Sequence, residues 1–489
     1  MTTSPEPSMN KYFKPFFAIC VFVYSLFLAS RPLTDPDFWF HLKTGEYILQ
    51  TRTIPKTDFF SFTQFGNPWV THEWLSEALF YAIYSRLGLN ALIFIFAVLT
   101  ATAFWIAFRR VAVHPFIKAF ATLLSVWTVI PTIGVRPRVF TLLLTAVFLH
   151  LLSTYSRREK AHAVWWLVPL MLLWVNLHAG FIIGLVLIAV TMVGLVLDAW
   201  MAGQRLGSVY SQVKTLALVL FACLAAVVVN PHGPRIYVFP FEFLFSPVQQ
   251  QLVTDWFSPD FHEFGLLPLA LLIILTMAAM AISPRRPKPS EVLLFLATLY
   301  ATLKSSRHMA IFALVAGPLF AQYFQSWLIA TPFGKPFSKD PSFHSNRAAV
   351  LFCLLLLLPL AAFFSKLKST AYSPASQAVL NVPVKAVAYL KENHVTGNTF
   401  TDPNIWGDYL IWALPANPVY IDGRIDMYPQ GFIKEYRDIT LGLSDWRGPF
   451  DRYGVRVVIV RRTSPLSWKL KEAHWQQLFE DDMAIVFAR

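Results

Sequence analysis

The sequence predicts a polytopic α-helical membrane protein with about eleven transmembrane helices and a small C-terminal extracytoplasmic α/β domain. Hydrophobic residues fill 56% of the 489 positions and charged residues only 14%, whereas soluble proteins carry about 25% charged residues. Apolar runs of about twenty residues, long enough to cross a bilayer as helices, recur along the first three quarters of the chain. Beyond residue 370 these runs stop, and shorter β-like runs replace them.

Each predicted transmembrane helix corresponds to one apolar run, and together they make a transmembrane domain of residues 1–369. Two of the runs abut at the segment Asn176-Leu177-His178-Ala179-Gly180, which predicts a hinge there. The predicted spans are 14–30, 89–108, 116–133, 138–154, 163–177, 180–199, 213–230, 264–282, 290–303, 308–328 and 348–366.

Basic residues concentrate in one alternate set of loops, which predicts that these loops face the cytoplasm. The N-terminus is then cytoplasmic, and residues 31–88, 231–263 and 370–489 lie on the opposite side. The net charge of +13 does not indicate nucleic-acid binding, because most Lys and Arg lie at the ends of apolar runs. The basic loop residues are Lys11, Lys14, Arg109, Arg110, Lys118, Arg157, Arg158, Lys160, Arg285, Arg286, Lys288, Lys335, Lys339 and Arg347.

Residues 370–489 alternate short β-like runs with amphipathic stretches, which predicts a compact α/β domain. The predicted helices are 384–393 and 432–443, and the predicted strands are 399–401, 419–421, 455–460 and 483–487. Asp422, Gly423 and Arg424 follow one of these strands, so Gly423 is expected to make a tight turn. Two interpretations stay open: an internal Asp–Arg pair that stabilises the turn, or side chains that contact an acceptor.

The first outer loop, 31–88, opens with a predicted amphipathic helix that begins near Asp35. Asp35 suits the N-cap and Pro36 the first helical position, which leaves the carboxylate of Asp37 free for chemistry. His41 follows Asp37 by four residues and therefore shares its helix face. This pair predicts an acid–base site, or with Asp35 a metal site.

Further polar groups are predicted to reach the same outer side of the membrane at the ends of spans. His72 and Glu73 precede a helix over 74–87, which they either cap or complement with site chemistry. Polar residues at this depth usually line a cavity or bind a ligand, and snorkelling at the interface is the simpler alternative. The other outer-face groups are Arg136, Arg138, His178, His232, Arg235, Lys304, Arg307 and His308.

The order of these features resembles the C-type glycosyltransferases, polytopic enzymes that use polyprenyl-phosphate-linked sugars. They likewise have a first span, an acidic pair opening a long outer loop, many further spans and an outer C-terminal domain. The chain is most similar to bacterial glycosyltransferase-like membrane proteins. The matching motifs are Asp35-Pro36-Asp37-Phe38-Trp39, Arg136-Pro137, Asn176-Leu177-His178-Ala179-Gly180, Asn230-Pro231-His232-Gly233 and Asp422-Gly423-Arg424.

This resemblance implies sugar transfer from a polyprenyl-phosphate donor to an extracytoplasmic glycan, lipid or protein acceptor, at the bacterial inner membrane. Asp37 is then the general base, with Asp35 as its neighbour or alternative. Mg²⁺ or Mn²⁺ at Asp35, Asp37 and His41 is compatible with the resemblance, which does not require it. The expected donor-phosphate ligands are Arg136, Arg138, Arg235, Lys304, Arg307 and His308, because arginine matches phosphate geometry.

The chain also departs from the family, because it lacks the Asp-Glu pair of mannosyltransferases and the Trp-Trp-Asp motif of oligosaccharyltransferases. The acceptor class therefore does not follow from the resemblance. Two other functions stay open: a transporter or lipid-carrier flippase, and a non-catalytic assembly subunit. A transferase requires Asp37 near the outer-face cations beside a groove open to lipid, whereas a transporter requires a central cavity at mid-depth.

Overall fold

The computed structural model describes residues 10–33, 35–244, 246, 254–337, 361, 365 and 381–489. Its first part is a bundle of helices joined by short loops and 3-10 turns. These helices are α1 (Asn10–Ala29), α2 (Phe38–Thr51), α3 (Trp74–Arg109), α4 (Pro115–Val129), α5 (Arg138–Ser156), α6 (Leu167–Leu177), α7 (Phe181–Met201), α8 (Gly207–Val227), α9 (Arg235–Leu244), α10 (Leu267–Ile282), α11 (Pro289–Lys304) and α12 (Met309–Ala330).

Ten of the eleven predicted spans coincide with helices, and the eleventh, 348–366, lies outside the described residues apart from two positions. Within the described chain, seven helices are long and apolar enough to cross a membrane. Two shorter apolar helices, Phe17–Ala29 and Ala161–Leu177, accompany them. The polytopic helical class predicted from the composition is thereby confirmed.

The predicted helix over 74–87 and the span over 89–108 form one continuous element, α3, with a kink. Gly88 interrupts the helix with φ 77° and ψ 177°, a conformation that glycine adopts without steric cost. The kink turns the chain from the first outer loop into the bundle. The first turn of α3 consequently lies among the polar residues at one end of the helices.

Helix α2 packs against α3 and against the C-terminal domain, so most of its residues are buried. A Cβ atom on Gly45 would collide with the backbone carbonyl of Glu77 on α3, which shows how closely the two helices cross. On the other side, the ring of Trp39 lies 5.3 Å from that of Tyr409. The predicted amphipathic helix thus has protein on both sides.

The C-terminal domain is a four-stranded mixed sheet with the strand order β1-β2-β4-β3. β1 pairs with β2 in parallel, and the other two pairings are antiparallel. The strands are β1 (Thr399–Asp402), β2 (Val457–Arg461), β3 (Gln476–Glu480) and β4 (Ala484–Ala488). Helices α13 (Val384–Glu392), α14 (Ile405–Ala413), α15 (Gln430–Thr440), α16 (Arg447–Tyr453) and α17 (Pro465–Glu472) surround the sheet.

The predicted strand over 419–421 is wrong. Val419 makes only isolated bridges, to Thr399 and to Ser61, because Pro418 precedes it and the Asp422 turn ends the segment. Its residues are fully buried, which explains their strand-like sequence. The start of the domain near residue 370 lies outside the described residues, so that boundary stays a prediction.

The first outer loop is joined to the C-terminal domain by backbone hydrogen bonds. Phe62 N–H donates to Val419 O at 3.1 Å, and Thr63 Oγ1 donates to Tyr420 O at 2.6 Å. The loop thus extends the edge of the sheet next to β1. Side chains of the first outer loop and of the C-terminal domain therefore contact each other next to these hydrogen bonds.

Candidate active site

Asp35 and Asp37 lie in the turn that leads into α2. The helix begins at Phe38, with Asp37 at the N-cap position and no capping hydrogen bond from its side chain. The helix thus begins two residues later than predicted, and one oxygen of Asp35, Oδ2, forms an ion pair with Arg136. Its other oxygen, Oδ1, accepts a hydrogen bond from the backbone N–H of Asp37 at 3.3 Å.

Arg136 and Arg138 share a second carboxylate, that of Asp255. Arg136 Nη1 lies 3.0 Å and Arg138 Nη2 2.6 Å from the same Asp255 oxygen. Burial opposes the charge of Arg136, but Asp35 and Asp255 together raise its pKa. Arg138 Nη1 is buried and has no hydrogen-bond partner among the described residues, so one donor of this pair is free for an anion.

The segment that leads into α12 contacts Asp255, the residue whose carboxylate pairs with Arg136 and Arg138. The hydroxyls of Ser305 and Ser306 donate to the backbone carbonyl of Asp255 at 2.8 Å and 3.1 Å. The guanidinium of Arg307 stacks on Trp256 at 4.2 Å from the ring centre, and His308 follows on the next position. The predicted convergence of Arg136, Arg138 and Arg307 is therefore present in the structure.

Arg235 and Lys304 have exposed side chains. No contact among the described residues brings either of them to the carboxylates of Asp35 or Asp255. Their role as phosphate ligands therefore stays a prediction.

Asp37 is half-buried, and burial together with the charge of Asp35 raises its pKa to about 7, against the opposing effects of Arg136 and His41. A carboxyl group with such a pKa can take up and release a proton near neutral pH. A Cβ atom on Gly423 would lie 2.7 Å from Oδ1 of Asp37 and 2.5 Å from Oδ2 of Asp408. The C-terminal domain thus brings a second carboxyl group to Asp37.

Glu73 lies among three histidines and does not cap α3. It stands at the N-cap position of that helix without a capping hydrogen bond, so the capping interpretation is wrong. Its carboxylate oxygens lie 3.4 Å from Nε2 of His178, 3.5 Å from Nε2 of His41 and 3.6 Å from Nε2 of His72. Burial opposes both shifts, but the charge of His72 lowers the pKa of Glu73, and Glu73 raises the pKa of His72 to about 9.

His178 holds the hinge between α6 and α7 in place. The backbone N–H of Gly180 donates to its Nδ1 at 2.9 Å, so Nε2 carries the proton and points to Glu73. Burial lowers the pKa of His178 to about 4, which keeps the ring neutral. Burial likewise lowers the pKa of His232, which follows α8, to about 4.

Asp422 and Arg424 form a buried ion pair at 2.6 Å. Arg424 also contacts Asp58 of the first outer loop at 2.7 Å and stacks on Trp69 at 4.4 Å. Tyr428 donates to Asp422 at 2.9 Å. The internal Asp–Arg pair considered from the sequence is thus present, and it joins the outer loop to the C-terminal domain.

The residues considered as metal ligands do not form a ligand set. Both ring nitrogens of His41 face α3, with Nδ1 3.1 Å from Glu77 and Nε2 3.5 Å from Glu73, while Asp35 pairs with Arg136. Within the part of the chain that the structure describes, no three His, Cys, Asp or Glu side chains are arranged to hold a metal ion.

An open, mainly apolar groove of about 570 Å³ lies beside the polar cluster. Trp74 follows Glu73 directly, and its indole N–H donates to Asn176 at 2.9 Å, two residues before His178. The groove therefore lies next to the contact between Glu73 and His178. Its lining includes Trp74, Leu172, Leu173, Asn176, Val229 and Pro231.

Sequence reasoning missed three carboxyl groups of this site: Asp255, Glu77 and Asp408. Glu77 lies four residues after Glu73, so helical spacing was a usable signal for it. Asp255 and Asp408 reach the site only through tertiary packing of distant segments. Their sequence neighbourhoods carry no signal of that kind.

Comparisons with known proteins place the fold. No family model and no curated protein sequence matches the chain. The structure of the archaeal oligosaccharyltransferase AglB from Archaeoglobus fulgidus, with an inhibitory peptide and a dolichol-phosphate, aligns over 93% of this chain and 70% of its own at 12% identity and a TM-score of 0.56.

The oligosaccharyltransferase of the same organism in its apo form aligns over the same shares, with 12% identity and a TM-score of 0.52. ArnT from Cupriavidus metallidurans, bound to undecaprenyl phosphate, aligns over 98% of both chains at 14% identity and a TM-score of 0.49. At these identities the oligosaccharyltransferase alignments establish a shared fold. The expected polytopic architecture with a small C-terminal domain is in line with this shared fold.

Proposed function

We propose that this protein is a membrane glycosyltransferase that moves a sugar from a polyprenyl-phosphate carrier to an acceptor, with Asp37 as the general base. The observation that carries the proposal is the convergence of Asp37, half-buried and with a pKa near 7, with Arg136, Arg138 and Arg307 beside an open groove. The fold shared with a protein solved with dolichol-phosphate supports it.

The arginine cluster suits the phosphate of the donor. Arg136 and Arg138 are held in place by Asp255, and the free Nη1 of Arg138 offers a donor to an additional anion. In the transition state, negative charge grows on the departing phosphate, and fixed cations stabilise it without reorganising. Arg307 adds a third guanidinium at the same end of the helices.

The reaction needs one proton transfer and one displacement. An acceptor O–H or N–H gives its proton to Asp37 while its oxygen or nitrogen forms a bond to the anomeric carbon. The bond from that carbon to the phosphate oxygen breaks, and polyprenyl phosphate leaves with the electron pair. The apolar groove that begins at Trp74 is the place proposed for the first isoprene units of the donor.

The alternative of a transporter finds less support. The polar groups described above lie at the ends of α1, α4, α6, α8 and α11 and at the starts of α3, α5, α7 and α12, on one side of the bundle. A transporter needs such groups at a mid-depth cavity. We further propose that this side faces away from the cytoplasm of a bacterial inner membrane, with the N-terminus in the cytoplasm.

The test is an assay of purified protein in lipid nanodiscs with a panel of polyprenyl-phosphate hexoses and pentoses. We expect at least one donor to release polyprenyl phosphate when candidate glycan, lipid or peptide acceptors are added. Asp260→Asn, at an exposed carboxylate distant from Asp37 in sequence, is the matched control and should retain wild-type release. No release with any donor, together with movement of the carrier between leaflets, would favour a flippase.

A further inference from the structure

Asp408 is a buried carboxyl group that the proposed reaction does not yet use. It lies on α14 of the C-terminal domain and is 0% exposed. Its Oδ1 accepts a hydrogen bond from the backbone N–H of Gly423 at 2.7 Å. Its Oδ2 is buried and has no hydrogen-bond partner within the described ranges. A buried carboxylate oxygen without a protein donor is costly in its charged form.

The neighbouring cations are committed to other carboxylates. Arg424 donates to Asp422 at 2.6 Å and contacts Asp58 at 2.7 Å. Arg136 pairs with Asp35 and lies 3.0 Å from Asp255. Asp408 therefore has neighbouring negative charge and no cation paired with it among the described residues.

A hydrogen-bond acceptor, Oδ1 of Asp37, nevertheless lies near Oδ2 of Asp408. The Cβ position that Gly423 leaves empty lies 2.5 Å from this oxygen and 2.7 Å from Oδ1 of Asp37, so both carboxyl groups approach the same point. Any larger residue at 423 would separate them or displace one. Two carboxyl groups so close together favour a single proton between them, because like charges cannot both be buried at low cost.

We infer that Asp408 is a neutral carboxylic acid whose Oδ2–H donates to Oδ1 of Asp37 and so positions that carboxylate as the base. The pair carries one proton, Asp37 carries the negative charge, and no covalent bond forms or breaks. Asp408 acts through Asp37 and is a positioning residue. The inference rests on the proposed function for its catalytic meaning, but the protonation of Asp408 can be tested without any turnover.

Burial, aided by the negative charges of Asp37 and Asp422, raises the pKa of Asp408 well above its ordinary value, in line with a neutral acid. The groups that act on the pair come from four segments. They are Asp35 and His41 around α2, Arg136 before α5, Asp255 of the 3-10 turn, and Asp422 and Arg424 of the C-terminal domain.

The first experiment is infrared difference spectroscopy at neutral pH of wild-type protein against Asp408→Asn. Asparagine has nearly the same shape and can donate an N–H to Asp37, so the variant should fold with a wild-type melting temperature. We expect the wild type to show the carbonyl stretch of a protonated carboxylic acid that the variant lacks. Asp451→Asn, at an exposed carboxylate, is the control and should leave this band unchanged. A difference spectrum without the band would overturn the inference.

The second experiment compares the pH dependence of turnover in the same two proteins. If Asp408 is neutral, replacing it with asparagine removes no charge near Asp37, and the acid limb of the profile should stay where it is. If Asp408 is ionised, the replacement removes a like charge and shifts that limb to lower pH. Such a shift would contradict the inference.

Asp408→Ala removes the hydrogen bond altogether. It should lower kcat about tenfold or more while KM changes little, since hydrogen bonds to charged groups are among the stronger ones. Equal kcat values for Asp408→Ala and wild type would also contradict the inference. An active Asp37→Asn variant would instead refute the proposed function, whatever the infrared result at Asp408.

Discussion

Replacing Arg424 with alanine is expected to loosen the contact between the first outer loop and the C-terminal domain. Its side chain is 2% exposed, pairs with Asp422 and Asp58, and stacks on Trp69. Breaking a buried ion pair typically costs about 3–5 kcal/mol, because the remaining charge stays buried.

The remaining carboxylates keep other donors, which limits the loss. Asp422 still accepts from Tyr428 at 2.9 Å, and Asp58 still accepts from the hydroxyl of Ser61 at 2.5 Å. We therefore expect the free energy of unfolding to fall by about 3 kcal/mol, the lower end of that range.

The assay is thermal unfolding in nanodiscs, combined with limited proteolysis of the C-terminal domain. Arg452→Ala is the matched control, because that guanidinium is 61% exposed and 3.4 Å from Glu435, and such pairs contribute about 0–1 kcal/mol. Equal melting temperatures for the two variants would refute the structural role of Arg424. Loss of turnover at an unchanged melting temperature would favour acceptor contact.

Three other outcomes are expected. Turnover of the wild type should fall about tenfold per pH unit below about pH 7, because protonating Asp37, whose pKa is about 7, removes the base; a pH-independent rate down to pH 5 would contradict this. Asp35→Asn should move that acid limb to lower pH, since Asp35 raises the pKa of Asp37; an unchanged limb would contradict the coupling. Arg136→Lys should lose much of the turnover, because lysine cannot contact Asp35 and Asp255 at once, and full activity of Arg136→Ala would remove this residue from the site.

The helical bundle was predictable from the sequence because lipid imposes a strong and local requirement. Every span must be apolar over about twenty residues, so the runs are visible without tertiary information. The outer-face arginines could also be predicted as a group. Successive spans run in opposite directions, and these arginines lie at the ends of spans that fall on the same side of the membrane. That Arg136, Arg138 and Arg307 meet around Asp255 depends on helix packing, and no local pattern encodes it.

The C-terminal domain was predicted less completely, because its elements are short and buried on all sides. Helix α14 has no polar face to contrast with an apolar one, since the consecutive residues 406–411 are all buried. The segment at Val419 is as apolar as a strand but too short to pair beyond single bridges. Asp408 lies within this poorly patterned helix, and only the close approach at Gly423 brings it to Asp37.

The same packing adds a second contact to Asp35. A sequence with Asp, Pro and Asp before an apolar helix predicts that the first carboxylate caps. In the structure Oδ1 of Asp35 accepts from the backbone N–H of Asp37, Oδ2 pairs with Arg136, and the helix begins at Phe38, two residues later than predicted. The local pattern thus predicts the bond to the backbone, whereas the ion pair depends on tertiary packing.

The role of Asp37 as the base for sugar transfer can be tested directly by measuring the turnover rate of the Asp37→Asn variant. Release of polyprenyl phosphate would be measured with the donor that wild-type protein turns over, at a pH where wild type is fully active. Asparagine keeps the shape of the side chain but cannot accept a proton. We expect kcat to fall about 10²-fold or more, with KM and melting temperature near wild type. A kcat within about threefold of wild type would contradict it, and an inactive Asp35→Asn beside an active Asp37→Asn would assign the base to Asp35.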